Sequence, residues 1–493
     1  MSTATTTAQV CRNFINGQWV ASRSGRVAER RNPADQDEIV AVVPLSTREE
    51  TREAIAAAKA AYPAWRDTPA PVRGKIIARA AALLEARKEE VARLLTREEG
   101  KTLKDSLGEV QRSVNILEFT AAEGRRMGGE TVPSELPRNF TYTFKQPLGV
   151  VGAITPWNFP VAIPVWKAGP ALVAGNTMVF KPATVTPLTA AKVVEIFAEA
   201  GVPAGVLNMI LGSGSEVGDE IVEHDDVRAL SFTGSNEIGG ALYSAGARKM
   251  KKCQCEMGGK NPVVILADAD LDLAVESTLV GAFGSSGQRC TATSRVVVED
   301  AIAERFVEAF AARARQQKAG NGLDSSVDLG PVVDEKQLET VLHYLEIGKK
   351  EGKLIAGGER VKGGAFDRGL FVAATVFDHV PWDSVIAQEE IFGPVISVIR
   401  VKDFEEAVRV ANSVKFGLSS SIYTNDARKI FEFIERIESG MTHVNLPTIA
   451  SEAHLPFGGV KGTGVGLREM GRVAIDFYTE LKTVYVDYSR KRG

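Results

Sequence analysis

The chain has 493 residues, of which 44% are hydrophobic and 25% are charged. A chain of this length exceeds one hydrophobic core, so two or three domains are expected. The 59 Lys and Arg residues nearly balance the 62 Asp and Glu residues, and no dense basic patch occurs, which argues against nucleic-acid binding. The absence of a long apolar run argues against a membrane span, and the polar, Thr-rich residues 1–8 do not resemble a signal peptide. Four cysteines are too few for a disulfide framework, which favours a cytoplasmic location.

The first predicted element is a hairpin over residues 13–20, where the Asn16-Gly17 pair separates two apolar runs and supplies the usual chemistry of a tight turn. Residues 47–100 follow, with apolar positions recurring every three and four residues, as in helices. Residues 102–127 predict a further helix of the same type.

Strands alternate with helices from about residue 141 onward. The strand-like NTMVFKP precedes the helix-like LTAAKVVEIFAEAG, and VRALSFTG precedes NEIGGALYSAGARK. Such alternation of apolar strands with helices predicts a parallel sheet that is covered on both faces. A second alternating region follows Glu256, and the tail TVYVDY is predicted to pair with TYTFK near residue 143. The predicted fold class is therefore α/β.

Cys290, in SSGQRCTATSR, lies on a loop rich in Gly and Ser before the strand-like SRVVVE. A thiol on such a loop can be exposed, with backbone N–H groups free to bind an oxyanion, and the adjacent Arg289 would favour the thiolate. A single Cys is more often a small buried hydrophobic residue, so Cys290 is a candidate nucleophile only in combination with other residues.

Three further segments offer chemistry, each beside a simpler interpretation. Glu256, in KKCQCEMGGKNPVVIL, is a candidate general base or a surface acid, and Asn158, in TPWNFP, is a candidate oxyanion donor or the start of an Asx-turn. Residues 232–240, FTGSNEIGG, join a strand to a helix whose N-terminus could bind phosphate. Cys253 and Cys255 flank Glu256 without a second pair or a nearby His, so no metal site is predicted.

Each of these segments is a weak signal alone, but their joint occurrence in this order is specific to one protein family. From about residue 13 to residue 490 the chain resembles the aldehyde dehydrogenase superfamily. The motifs that carry the resemblance are ITPWNFP, NTMVFKPATVTPLTA, FTGSNEIG, CEMGGKNPVVI, GQRCTATSR, EEIFGPV and LPFGGVKGTGVG.

The resemblance implies an α/β, aldehyde dehydrogenase-like architecture of three parts. A Rossmann-like, dinucleotide-binding domain would comprise residues 1–123 and 148–257, and an α/β catalytic domain would comprise residues 258–460. A small β oligomerisation arm would combine residues 124–147 and 475–493. Members of the family are homodimers or homotetramers, and the sequence leaves both open.

The resemblance also implies four catalytic residues. Cys290 would attack the aldehyde to give a thiohemiacetal and then a thioester, with Asn158 and the Cys290 backbone N–H as the oxyanion hole. Glu256 would activate the water that hydrolyses the thioester, and its presence argues against the branch that transfers the acyl group to coenzyme A. Lys167 matches a family lysine behind the active site.

The cofactor residues are likewise implied by matching motifs. Lys181 matches the lysine at the adenosine ribose, Ser235 and the helix after it would face the pyrophosphate, and Glu390 with Phe392 matches the nicotinamide-ribose site. The other positions in cofactor-contacting motifs are Thr155, Pro156, Trp157, Ala183, Thr184, Gly214, Gly218, Phe232, Gly234 and Gly239.

Position 184 bears on the choice of cofactor. Relatives that prefer NAD often carry Glu three residues after the lysine of this motif, where this chain has Thr184. A carboxylate there would repel a 2′-phosphate, and threonine removes that repulsion while Lys181 can pair with the phosphate. The expectation is NADP, with NAD as the alternative.

The segment GQRCTATSRVVV is most similar to the branch that oxidises 2,5-dioxopentanoate, or α-ketoglutaric semialdehyde. Arg289, with Thr291 beside it, could hold the carboxylate of this aldehyde substrate, or Arg289 could point away from the pocket and serve packing. Succinate semialdehyde and other short semialdehydes are close alternatives. Non-phosphorylating oxidation of glyceraldehyde 3-phosphate and a coenzyme A-acylating reaction are more distant ones.

Overall fold

Helices dominate the first quarter of the chain and alternate with strands after it, in a computed structural model that describes residues 8–489. The α-helices of this range are α1 (Arg48–Asp67), α2 (Ala70–Ala86), α3 (Lys88–Glu99), α4 (Leu103–Glu123), α5 (Ala162–Ala174), α6 (Pro187–Glu199), α7 (Asp219–Glu223), α8 (Asn236–Arg248), α9 (Leu271–Phe283), α10 (Asp300–Arg315), α11 (Glu335–Glu351), α12 (Val385–Gln388), α13 (Phe404–Asn412), α14 (Ala427–Arg436) and α15 (Val473–Phe477). A π-helical turn spans Gly214–Gly218, and 3-10 turns span Gly284–Gly287 and Gly364–Arg368.

The strands of the same range form five sheets. They are β1 (Gln9–Val10), β2 (Asn13–Ile15), β3 (Gln18–Val20), β4 (Val27–Asn32), β5 (Asp35–Pro44), β6 (Thr131–Val132), β7 (Asn139–Pro147), β8 (Val150–Ile154), β9 (Thr177–Lys181), β10 (Leu207–Met209), β11 (Val227–Thr233), β12 (Lys252–Glu256), β13 (Asn261–Ile265), β14 (Thr293–Glu299), β15 (Lys353–Ala356), β16 (Thr375–Asp378), β17 (Val395–Val401), β18 (Phe416–Gly417), β19 (Ser419–Tyr423), β20 (Met441–Val444), β21 (Val460–Lys461), β22 (Gly464–Val465) and β23 (Thr479–Asp487).

Local signals set the ends of the early elements. Strands β2 and β3 form the predicted antiparallel hairpin, because Asn16 and Gly17 both take the positive φ that a tight hairpin turn requires. The helical region predicted over 47–100 is three helices, and Pro69 precedes the second of them. Helix α4 begins where Thr102 accepts a hydrogen bond from the Asp105 backbone N–H, a normal N-cap.

The larger sheet has eight strands in the order β22-β12-β11-β8-β9-β10-β2-β3. Its five central strands, β8 to β12, run parallel, as the alternation of apolar strands and helices predicts. Helices α2, α4 and α5 pack one hydrophobic core against this sheet, and a second core lies on its other face. Strand β22 closes one edge, although it lies beyond the predicted catalytic range of 258–460.

A second sheet has seven strands in the order β15-β16-β17-β14-β13-β19-β20. All its pairs are parallel except the edge pair of β15 with β16. Apolar clusters cover both faces, which explains why these strands are apolar at almost every position. Two α/β layers of this kind confirm the predicted fold class.

The predicted pairing of the tail with the segment near residue 143 is also confirmed. Strand β23 runs antiparallel to β7, with Thr483 opposite Thr143, and β6 completes a three-stranded sheet. The predicted range 475–493 ends in residues 490–493, which lie outside the described residues, as do residues 1–7. Across residues 8–489, no helix is long and apolar enough to span a membrane.

Candidate active site

The carboxyl ends of the central parallel strands bring most of the predicted cofactor residues to one sheet edge. Lys181 pairs with Ile154, Ile154 pairs with Phe232, and Thr233 pairs with Glu256. Dinucleotides bind outside the carboxyl ends of such strands. The predicted residues at or just beyond this edge are Thr155, Pro156, Trp157, Lys181, Ala183, Thr184, Phe232, Gly234, Ser235 and Glu256.

Buried polar atoms without partners at this edge fit a dinucleotide. The hydroxyls of Thr155 and Thr233 are buried and make no hydrogen bond within the described residues. Lys181 is 7% exposed and its ammonium reaches only the Pro182 carbonyl, at 3.4 Å, in that part of the chain. Burial lowers the pKa of Lys181 to about 8. An anionic or hydroxyl-rich ligand would satisfy these groups.

Helix α8 begins at the same edge and supplies the phosphate side. Ser235 is its N-cap and makes no side-chain capping bond, so the first N–H groups of this 13-residue helix are available to an anion. Gly239 is required by packing, since a Cβ there would lie 2.5 Å from the Met257 sulfur. Gly214 and Gly218 bound the π-helical turn, and a Cβ on Gly218 would lie 3.8 Å from Lys181 Cδ.

Glu390 and Phe392 approach this edge from the second sheet. Glu390 Oε1 accepts a hydrogen bond from the Gly259 N–H at 2.9 Å, and a Cβ on Gly258 would lie 2.2 Å from Glu390 Oε2. Burial raises the pKa of Glu390 to about 7. Phe392 meets Trp157 edge to face at 5.4 Å between ring centroids. The two halves of the predicted cofactor site are therefore contiguous, and the residues present fit NAD or NADP.

Cys290 follows the 3-10 turn at the end of α9. Ser285 and Ser286 have φ of 51° and 56°, and a Cβ on Gly287 would lie 2.2 Å from the Gly393 carbonyl, so the turn is tightly enclosed. The Cys290 carbonyl accepts from Asn261 Nδ2 at 2.8 Å. The turn therefore fixes the backbone of Cys290, a residue of intermediate exposure.

Glu256 and Cys290 are close enough to influence each other's charge. Burial, followed by the nearby Glu256 and Glu390 carboxylates, raises the pKa of the Cys290 thiol, and Arg112 opposes this rise. Burial, followed by the nearby Glu469, raises the pKa of Glu256 well above its ordinary value. Glu256 Oε1 is buried without a partner in residues 8–489, which leaves one carboxylate oxygen free to accept a proton from water.

Asn158 lies beside the nucleophile loop and is 3% exposed. Its Nδ2 donates to the Gln288 carbonyl at 3.1 Å, which uses one of its two N–H bonds and leaves the other for a further acceptor. The backbone carbonyl of Asn158 accepts a hydrogen bond from the buried Lys101 ammonium at 2.5 Å. The structure therefore brings Asn158 to the Cys290 loop, and its role as an oxyanion donor stays a prediction.

Lys167 lies behind Glu256 in a buried polar cluster. Its ammonium donates to Ser231 Oγ at 2.9 Å and pairs with Glu469, and Ser231 donates to Gln254 at 3.1 Å. The sequence does not single out Glu469. Because Glu469 helps to raise the pKa of Glu256, this cluster connects Lys167 to the candidate base.

The structure places Arg289 against a carboxylate of the protein itself. Its Nη2 donates to Asp105 at 2.6 Å and its Nε to Ser285 Oγ at 3.1 Å. Thr291 is buried, and its carbonyl accepts from Thr448. The assignment of Arg289 and Thr291 to substrate therefore stays a prediction, and the Arg289 charge is already matched.

A second guanidinium, Arg112 on α4, is the one that the sequence analysis misses. It lies over the rings of Trp166 and Phe457, at 5.3 and 5.6 Å. Its Nε is buried without a partner in the described part of the chain, and its Nη2 has only the weak acceptor Met470 Sδ at 3.4 Å. Its charge acts on Cys290. Arg112 is therefore a cation that acts on the candidate nucleophile and has no ion-pair partner within residues 8–489.

Comparison with known proteins places this site in a family. The sequence profile described as the aldehyde dehydrogenase family matches residues 19–484. Alpha-ketoglutaric semialdehyde dehydrogenase of Bacillus subtilis (strain 168) is 47% identical over 475 residues, which cover 96% of this chain and 97% of that relative. Malonate-semialdehyde dehydrogenase 2 of Geobacillus kaustophilus (strain HTA426) is 42% identical, with 97% and 99% covered.

The fold agrees with the same family. The crystal structure of betaine aldehyde dehydrogenase from Staphylococcus aureus in complex with NAD+ superposes with a TM-score of 0.94 at 34% identity, covering 97% of this chain and 95% of that one. The resemblance noted from the motifs is thereby confirmed. The chain belongs to the aldehyde dehydrogenase family and is an oxidoreductase that acts on aldehydes.

Proposed function

We propose that this enzyme oxidises 2,5-dioxopentanoate to 2-oxoglutarate, with NADP favoured over NAD. The observation that supports this choice of substrate is the unpaired Arg112 guanidinium beside Cys290. A buried guanidinium without an acidic partner favours a substrate that brings its own carboxylate. The 47% identity to alpha-ketoglutaric semialdehyde dehydrogenase supports the five-carbon keto acid over shorter semialdehydes.

The first half-reaction forms an acyl-enzyme. The Cys290 thiol releases its proton to solvent, and the thiolate attacks the aldehyde carbon while the carbonyl oxygen becomes an oxyanion. The free Asn158 N–H and the Cys290 backbone N–H would stabilise this oxyanion, and Arg112 would hold the distant carboxylate. NAD(P) held by Lys181, Ser235 and Glu390 would supply the hydride acceptor. The Cys290 sulfur is then joined to the acyl group as a thioester.

The second half-reaction returns the free enzyme. Glu256, as a carboxylate, takes a proton from water, and the oxygen adds to the thioester carbon. The carbon–sulfur bond breaks, the acid is released, and the Cys290 thiolate takes up the proton that Glu256 holds, which restores both groups. The overall reaction consumes aldehyde, water and NAD(P), and it yields the acid, NAD(P)H and a proton without coenzyme A.

The substrate proposal is tested by initial rates of NAD(P)H formation without coenzyme A. We expect the highest kcat/KM with 2,5-dioxopentanoate among a set that includes malonate semialdehyde, succinate semialdehyde and glyceraldehyde 3-phosphate. Arg112→Gln should lower kcat/KM for 2,5-dioxopentanoate by about 10- to 100-fold, since a hydrogen bond to a charged group contributes about 1.5–3 kcal/mol.

Propionaldehyde, which has no carboxylate, separates the two roles of Arg112. Any fall with propionaldehyde reports the effect of Arg112 on the Cys290 thiol, and the additional fall with 2,5-dioxopentanoate reports carboxylate binding. Arg125→Gln, an exposed guanidinium just beyond the same helix, is the matched control and should leave both rates unchanged. Equal losses with the two aldehydes would rule out Arg112 as the carboxylate site.

The cofactor proposal rests on Lys181 and Thr184. Lys181 has no acidic partner in residues 8–489, and Thr184 follows β9 without a negative charge. We expect kcat/KM for NADP to exceed that for NAD. Thr184→Glu should reverse the order by lowering kcat/KM for NADP about 10- to 100-fold, because two like charges about 4 Å apart near a protein surface repel by a few kcal/mol.

The neutral variant Thr184→Gln has nearly the shape of the Glu variant and is the matched control. It should retain the NADP preference of the parent enzyme. A parent enzyme that uses NAD with a much higher kcat/KM than NADP would overturn the cofactor proposal and leave the substrate proposal intact.

The remaining assignments are extensions of the same proposal. We place the enzyme in the cytoplasm as a homodimer or homotetramer, with the sheet of β6, β7 and β23 as the oligomerisation arm. The exposure of Leu481 and Tyr485 on β23 supports this role, because large exposed apolar side chains on one strand favour contact with another chain. We also propose that the domain boundaries lie at residues 123, 147, 257 and 460, between the dinucleotide-binding domain, the arm and the catalytic domain.

A further inference from the structure

One carboxylate of helix α4 holds the loop that carries Cys290. Asp105 Oδ2 accepts from the Ser285 backbone N–H at 3.0 Å, and Asp105 Oδ1 accepts from Arg289 at 2.6 Å. Arg289 Nε in turn donates to Ser285 Oγ at 3.1 Å, and Thr102 Oγ1 donates to Asp105 at 3.0 Å. Asp105, Ser285 and Arg289 thus form a closed set of contacts, which we call the Asp105 clamp.

We propose that Asp105 is a positioning residue, which fixes the Cys290 nucleophile through Ser285 and Arg289. This inference rests on the proposed role of Cys290. The clamp contacts residues five positions before Cys290 and directly before it, so it defines both ends of the short segment that leads to the thiol.

The backbone of this segment needs such a restraint. Ser285 and Ser286 both lie in the left-handed region, with φ of 51° and 56°, which residues other than Gly, Asn and Asp adopt at a cost in free energy. Ser286 Oγ donates to the Gly330 carbonyl at 2.8 Å, and Ser285 is held by Asp105. Two external anchors therefore hold a turn that would otherwise relax to commoner angles.

The same helix also holds the oxyanion side of the site. One turn after Asp105, Glu109 Oε1 accepts from the backbone N–H groups of Val161 and Ala162, at 2.8 and 3.1 Å. Glu109 Oε2 accepts from Lys101 at 2.8 Å, and Lys101 donates to the Asn158 carbonyl at 2.5 Å. The spacing of Asp105 and Glu109 on one helix face therefore sets the position of the Cys290 loop relative to Asn158.

The clamp also pairs the positive charge of Arg289 with the carboxylate of Asp105, and the Arg112 guanidinium opposes the rise in the pKa of Cys290. If Asp105 loses its charge, Arg289 loses its ion pair, and the hydrogen bond from Arg289 Nε to Ser285 Oγ is no longer oriented by a carboxylate. Both changes displace the thiol, and a displacement of about 1 Å in an active site can lower a rate about 100-fold.

The test uses the full-length enzyme and the variants Asp105→Asn, Arg289→Gln and their combination. Asp105→Asn keeps an oxygen that can accept from the Ser285 N–H, and it removes the charge pair. We expect Asp105→Asn to lower kcat about 10- to 100-fold with propionaldehyde as well as with 2,5-dioxopentanoate, while KM for NADP stays the same. The rate at which iodoacetamide alkylates Cys290 should fall in parallel.

The double variant separates the clamp from two independent effects. If Asp105 acts through Arg289, the combined variant is no slower than the slower of the two single variants. Glu118→Gln, an exposed acid on the same helix, is the control and should match the parent enzyme. Multiplicative losses in the double variant, or an Asp105→Asn enzyme with parental kcat and alkylation rate, would overturn the inference.

Cys290→Ala is measured beside these variants, so that two failures stay distinguishable. An active Cys290→Ala enzyme would remove the proposed nucleophile and the clamp with it. An inactive Cys290→Ala enzyme beside an unaffected Asp105→Asn enzyme would remove the clamp alone. If Asp105→Asn does not fold, Arg289→Gln breaks the same pair from the other side, and its kcat and alkylation rate decide the question.

Discussion

Cys290→Ala is expected to abolish aldehyde oxidation, with a fall in kcat of roughly 10⁴-fold or more, because no other group can form the covalent intermediate. The other three cysteines cannot replace it. Cys11, Cys253 and Cys255 are buried, whereas Cys290 is partly exposed, and the three buried thiols are packed inside hydrophobic clusters that enclose them.

Two control measurements show whether the loss of activity is specific to the Cys290 thiol. NADP binding, followed by quenching of protein fluorescence, should survive in Cys290→Ala because the residues at the sheet edge are untouched. Cys11→Ala, which removes a buried thiol that has no assigned role, should retain the parental kcat. Substantial turnover by Cys290→Ala would exclude the thioester route.

Glu256→Gln is expected to separate the two half-reactions. The acyl-enzyme should form and release a stoichiometric burst of NADPH, and steady-state turnover should then fall by about 10²- to 10⁴-fold, the usual contribution of a general base. The reason lies in the free Oε1 of Glu256, which is placed to accept a proton and whose loss leaves water unactivated. Stopped-flow absorbance of NADPH measures burst and steady state together.

The role of Glu256 as a base also predicts how the deacylation rate of the parent enzyme changes with pH. Burial and Glu469 raise the pKa of Glu256, so the carboxylate is protonated at low pH and becomes an active base as the pH rises through that raised pKa. Deacylation should therefore increase with pH in the parent enzyme and lose this limb in Glu256→Gln. Hydroxylamine, a nucleophile that needs no base, should restore turnover to the variant. Loss of the burst itself would contradict the assignment.

Patterns close together in the sequence predict much of this molecule. The turn at Asn16-Gly17 and the α/β alternation follow from local geometry, and the motifs around Lys181 and Glu256 follow strands whose carboxyl ends must meet in a parallel sheet. The observed register agrees with this expectation, because Ile154 lies opposite both Lys181 and Phe232 at the carboxyl ends of adjacent parallel strands.

Residues that reach the site from a distant helix could not be predicted in the same way. Asp105, Glu109 and Arg112 are spaced by four and three positions, so the helix predicted over 102–127 places them on one face. The sequence does not say what that face meets, because the partner of Asp105 is Arg289, 184 positions away. Adjacency to Cys290 suggests Arg289 as a carboxylate ligand, and nothing in the sequence indicates that its side chain pairs with Asp105.

Intact-protein and peptide mass spectrometry of Glu256→Gln can detect the proposed thioester on Cys290 itself. The variant is mixed with 2,5-dioxopentanoate and NADP and quenched in acid during the burst. The account predicts a 2-oxoglutaryl adduct on the peptide that contains Cys290, absent without NADP and released by hydroxylamine. A full burst of NADPH with an unmodified Cys290 peptide, or an adduct on another residue, would contradict it.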